Sequence, residues 1–194
     1  MIKFLTCISV IAAALLIMLS AAVTNAQRRD CFTEAELDLV RDAQDIDLRM
    51  KVLTRAIDRR LAVLNIDSNP SEKPPKDADK WGDPPTGSRG ELLTDIKRII
   101  QKAVDDIDDA AANAGTVRAR TPENTSKKDK TDPPFARATH ILLAAAQRYK
   151  PLLSAESDKT TVMAEKNPIA GAVELCDQII EALSKLPAAP PTVK

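Results

Sequence analysis

Between Leu37 and Leu64 an apolar stripe runs through Leu37, Val40, Ala43, Ile46, Met50, Leu53, Ile57, Leu61 and Leu64, with no glycine or proline among or between them. From Ile46 onward the steps are 4, 3, 4, 4 and 3, the period of an α-helix. A strand alternates its faces every second residue and cannot gather these side chains on one side. The stretch predicts a single helix over residues 34–64, about 46 Å long. Its start is marked by Phe32-Thr33-Glu34-Ala35-Glu36-Leu37: Thr33 and Glu36 form a capping box, Phe32 and Leu37 a hydrophobic staple. Glu34, Glu36, Asp38, Asp42, Asp45 and Asp47 fill its first half, and Arg49, Lys51, Arg55, Arg59 and Arg60 its second. That order suits the helix dipole.

Three further stripes follow. Ser88 and Glu91 make a second capping box ahead of Leu92, Ile96, Ile99, Ala103, Ile107, Ala110 and Ala114, and Gly115 supplies a stop. Asp132-Pro133 opens a third helix along Phe135, Ala138, Leu142, Ala145, Tyr149 and Leu152, which Pro151 should kink or end. Asn167-Pro168 opens a fourth along Ile169, Val173, Cys176, Ile180 and Leu183, stopping near Leu186. Residues 156–166 fit a short extra helix. Two long polar linkers separate the first three helices: 65–90, with five prolines and three glycines, and 116–131, polar and charged.

Helices with one narrow apolar stripe each must bury those stripes against one another, so the fold class is all-α, a four-helix bundle-like arrangement. Scarce aromatic residues agree: beyond residue 26 only Phe32, Trp81, Phe135 and Tyr149 occur. Packed antiparallel, helices 1 and 2 would set the acidic start of the first against Asp105, Asp106, Asp108 and Asp109. Packed parallel, they would set its basic end there. Extended chain covers about 3.3 Å per residue, so linker 65–90 can return along the whole helix. Charge therefore favours a crossover between helices 1 and 2.

The first residues set the destination. Lys3 precedes an uncharged apolar run from Phe4 to Val23, with small residues at Thr24 and Ala26. This is the pattern of a secretory signal peptide cleaved before Gln27. The alternative is an N-terminal membrane anchor, for which the run is about long enough. Cys7 comes too early in the run for a lipoprotein. The expected organisation is signal peptide 1–26, helical domain 27–186 and a disordered tail 187–194. The mature chain would be secreted or periplasmic, with no membrane association. Removing Lys3 leaves 27 basic against 28 acidic side chains. A neutral chain gives no electrostatic case for nucleic acid.

Two cysteines remain, Cys31 and Cys176, and an even count in an exported chain points to a disulfide between them. Against it, Cys176 lies on an apolar stripe, where a plain buried thiol also fits. The one tryptophan, Trp81, sits in the stretch KWGDPPTGSRGELL. It reads first as an anchor pinning the linker to the helices, second as an exposed partner-binding aromatic.

Catalytic groupings are missing. His140, the single histidine, falls off the stripe of its helix and should face solvent. No Glu-x-x-His, Cys-x-x-Cys-His, Gly-x-Ser-x-Gly or phosphate-binding glycine loop is present. Met50, Met163 and His140 could offer haem ligands, but haem is disfavoured, because Met50 belongs to the core stripe and His140 does not. Asp105, Asp108 and Asp109 share one helix face and are the best metal candidate, for weakly held Ca²⁺, but a solvated acidic face is the preferred explanation. Asn124-Thr125-Ser126 is a glycosylation sequon. The expectation is an exported, non-enzymatic helical protein without cofactor. It would act through contacts with an unknown protein partner or through self-association. The alternative is a carrier of a small ligand or metal.

Overall fold

The computed structural model describes residues 30–66, 78–118 and 133–185, with residues 114–118 described by backbone alone. The chain divides into two units, Met1–Asp30 and Cys31–Lys194. The expected signal peptide, Cys7, linker residues 67–77 and 119–131, the sequon, the expected Asp132 cap and the expected disordered tail lie outside the described residues. The elements are α1 (Glu34–Asp42), α2 (Ile46–Val63), a 3-10 turn (Ala78–Trp81), α3 (Arg89–Arg118), α4 (Pro134–Lys159) and α5 (Met163–Ser184). The fold is all-helical, and no strand occurs among the described residues.

The first capping box is in place. Thr33 Oγ1 accepts from the Glu36 amide at 3.2 Å, and Glu36 Oε2 accepts from the Thr33 amide at 3.0 Å. The single helix over 34–64 is not. The chain leaves helical geometry at Ala43 (φ −75°, ψ 84°) and re-enters it after Asp45. In a straight helix Glu36 and Arg60 would stand about 36 Å apart; here they form an ion pair at 2.9 Å. So α1 doubles back along α2. The fold-back buries Glu36 and Val40, and Arg49 Nε donates to the released Ala43 carbonyl at 3.1 Å. Periodicity is blind to such a reversal, because both halves keep their apolar stripe.

Three other helix boundaries differ from expectation. Gly115 does not stop α3, which continues to Arg118. One interior glycine costs only about 1 kcal/mol against alanine, and Ala110, Ala111, Ala112 and Ala114 surround it. Pro151 does not end α4, which runs on to Lys159. Pro151 and Gln147, whose carbonyl loses its partner, are both exposed, so water can satisfy that oxygen. α5 begins at Met163, so Pro168 lies inside it. No separate helix forms over 156–166; only a short turn from Thr160 separates α4 from α5.

One core joins the helices. α2 and α5 each pack on α3 and α4 and, among the described residues, not on each other, which gives the order α2, α3, α5, α4 around the core. Arg60 faces Asp95 and Arg49 faces Asp106, each at 3.9 Å, so α2 and α3 are antiparallel. This corrects the expected crossover. The repulsion that argued for it never arises: the acidic stretch before Ala43 has turned back, and Arg49 stands opposite the aspartates. α2 and α4 run parallel, with Asp47 on Arg137 at 2.8 Å and Asp58 on Arg148. α4 and α5 are antiparallel, with Lys150 on Asp177. The core is Met50, Leu53, Ile57, Leu61, Ile96, Ile99, Leu153 and Ile169 with their neighbours, all nearly inaccessible.

Candidate functional site

The most unusual chemistry in the structure is a buried ion cluster where α1, α2, α3 and the 3-10 turn meet. Glu36 is 0 % exposed, Arg60 1 % and Asp95 2 %. Isolated charges at that depth are strongly disfavoured, so each requires a partner. Arg60 reaches both Glu36 oxygens at 3.1 and 2.9 Å and the Ala56 carbonyl at 2.7 Å, and it also donates to the Cys31 carbonyl. Arg59 holds the same carboxylate at 2.8 Å and donates to the Gly82 carbonyl at 3.0 Å and to that of Asp83. Two acids face two guanidinium groups, so the cluster is neutral. It ties the start of the domain, α1 and the linker to α2. With both oxygens committed, Glu36 cannot serve as a general base.

Trp81 ends the 3-10 turn and packs half-buried against the core, with the Arg59 guanidinium 5.6 Å from its ring centre. The linker reaches this position through Gly82, which adopts φ +58°. A Cβ there would approach Ala35 Cβ to 3.0 Å. Both restrictions call for glycine.

Cys31 and Cys176 are not joined; both carry thiols. Cys31 lies beside Arg60 at the start of the domain. Cys176 is buried in α5, which contacts neither α1 nor α2 among the described residues. An even cysteine count carries no information on such placement. Burial first, and then the Asp177 carboxylate, push the Cys176 thiol from 9.0 up to about 12, although Lys150 opposes this. It is inert at neutral pH.

Asp105, Asp108 and Asp109 are all exposed, and Asp105 accepts from Gln101 at 2.9 Å. No group of three potential ligands able to hold a metal occurs among the described residues. Their neighbour Asp106 is the aspartate drawn inward, to Lys102 at 3.1 Å and Arg49. His140 is exposed. Tyr149 is buried, with its hydroxyl 2.9 Å from both the Thr54 carbonyl and Asp58 Oδ1. Burial, then Asp58, hold the phenol well above its ordinary value, so it stays a neutral donor.

A second feature lies on the surface. Among the described residues the exposed large hydrophobics are Leu48, Val63, Val162 and Met163, and the last three share one end of the structure. Arg89 connects that end: its guanidinium reaches the Leu64 carbonyl at 3.4 Å and Glu165 at 3.4 Å, and also pairs with Glu156. Neither feature was read from the sequence. A signal existed for both. Asp95 and Arg60 sit at helical spacing from Leu92 and Ile57, on buried faces, and Val63, Val162 and Met163 fall outside every stripe. Comparison with known proteins finds no matching family model, no matching curated protein and no matching solved structure.

Proposed function

We propose that the chain is an exported, four-helix bundle-like protein that acts through protein–protein contacts and has no catalytic activity of its own. The observation that carries this reading is the apolar end. Val63, Val162 and Met163 are 41 %, 52 % and 64 % exposed, at the end of α2 and the corner between α4 and α5. Exposed apolar groups at one end of a structure fit a contact surface, and methionine adapts to varied partners. The half-buried Trp81 ring lies at this same end, beside Arg59. The N-terminal apolar run followed by Thr24 and Ala26 supports export. Near-zero net charge speaks against nucleic acid as the partner.

The test is site-specific photocrosslinking in the native host. A photoreactive residue at Met163 should yield a discrete adduct whose mass identifies a protein. The same residue at the exposed His140, toward the other end of α4, should not. Met163→Asp should abolish capture at a neighbouring photoreactive position 162 without lowering the melting temperature. Equal adducts at both positions, or none at 163, would overturn the reading.

A further inference from the structure

We propose that α1 exchanges between two copies of this chain. The hinge Ala43–Asp45 opens, α1 and α2 join into one straight helix over 34–63, and each α1 docks on the α2 of the second copy. The first support is the hinge sequence. Asp42-Ala43-Gln44-Asp45 contains neither glycine nor proline, and Ala43 continues the apolar stripe that runs through both helices. Nothing in the covalent chain requires the reversal.

The second support is how the helices end there. Asp45 is the N-cap residue of α2 but makes no side-chain capping bond, and Ala43 turns away at ψ 84°. Helix ends leave backbone groups without intrahelical partners. A straight helix supplies those partners. The third support is the isolation of α1. Among the described residues it packs on α2 and on the 3-10 turn and on no other element, so it can leave as a unit.

The fourth support fixes the partner. A single copy that opened would give up the ion pairs of Glu36 with Arg59 and Arg60 and would expose Val40 and the face of α2 that it covers. Both losses disfavour an open monomer. A second open copy restores every one of these contacts, Glu36 of each chain meeting Arg59 and Arg60 of the other. The arrangement is two-fold and closed, the simplest oligomer available to a swapped element. It stands on the hinge and is independent of the apolar end.

The experiment refolds the protein at low and high concentration and reads mass by light scattering after size exclusion. Asp45 already holds φ −78°, an angle proline adopts, so Asp45→Pro is compatible with the closed chain. Inside a straight helix the same substitution should weaken dimerisation at least about a hundredfold. Asp45→Ala favours helix through the hinge and should strengthen dimerisation roughly tenfold over two chains. The expected result is a dimer in wild type that grows with concentration, rises in Asp45→Ala and disappears in Asp45→Pro, with the monomers melting alike. A dimer that persists in Asp45→Pro, or no dimer in wild type and Asp45→Ala, overturns the proposal. Were Asp45→Pro to melt early, Asp45→Ala decides alone: a dimer share no greater than in wild type overturns it. Neither result bears on crosslinking at Met163.

Discussion

Replacing Arg60 with leucine would leave Glu36, at 0 % exposure, with Arg59 as its remaining counter-charge. Breaking a buried pair from one side costs about 3–5 kcal/mol. Arg60→Leu should lose that much in urea unfolding, while Glu36→Leu with Arg60→Leu together should recover part of it, because the buried Asp95 still loses Arg60. A double variant as unstable as the single would show that the charges matter less than the space they fill. Arg60→Lys should rescue poorly, because one ammonium cannot span both Glu36 oxygens and the Cys31 and Ala56 carbonyls. Cys176 gives a second prediction. Its pKa is raised from 9.0 to about 12, so the unfolded chain loses its proton first as pH rises. The folded state then binds more protons, and stability falls with rising pH. That contribution is intact below pH 9 and is lost on approach to about 12. At pH 8 an alkylating agent followed by mass spectrometry should leave Cys176 unmodified until denaturant is added. Rapid labelling in the native protein would contradict its placement.

At the scale of elements, two glycines should respond in opposite directions to the same change. Gly82 joins the 3-10 turn to the linker at φ +58°, with Ala35 Cβ at 3.0 Å from any added Cβ. Gly82→Ala should destabilise by about 1–2 kcal/mol, since left-handed geometry disfavours a side chain. Gly171 lies inside α5, where a new Cβ would meet the Lys97 side chain, 2.7 Å away at Cε. That chain is flexible and can swing aside. Gly171→Ala should be neutral or stabilising by up to about 1 kcal/mol, through helix propensity. Thermal melts of the two variants check both signs, and a loss at Gly171 equal to that at Gly82 would mean that Lys97 is held in place.

For the whole molecule, stability should divide between α1 and the rest. α2, α3, α4 and α5 supply nearly all of the shared core, whereas among the described residues α1 adds Val40 and rests on α2 and the 3-10 turn. Local opening follows contact density. Amide hydrogen exchange should therefore be faster over Glu34–Asp42 than over the buried stretches of α2 and α4. Equal protection would show that the ion cluster couples α1 to global unfolding. Arg60→Leu should widen the difference, because it removes the main polar tie between α1 and α2.

Local physics was legible in the chain itself. Apolar spacing fixed the helical class, and most stripe positions are buried, from Met50 and Leu53 in α2 to Ala138 and Leu142 in α4. The Thr33–Glu36 and Ser88–Glu91 boxes followed from residues three apart, which meet whatever else the chain does. The outcomes that escaped the sequence all depend on contacts between distant residues. The break at Ala43, the antiparallel α2 and α3, and the burial of Glu36 arise because Arg59 and Arg60 meet a carboxylate from another helix. Cys31 and Cys176 stayed apart because helix packing, not cysteine count, sets their positions. Pro151 and Pro168 were absorbed because packing on neighbouring helices outweighs a lost backbone bond. Propensity and periodicity act over a few residues and determined what the helices are. Burial and ion pairing act across the fold, and they alone decided where α1 turns back and which faces meet.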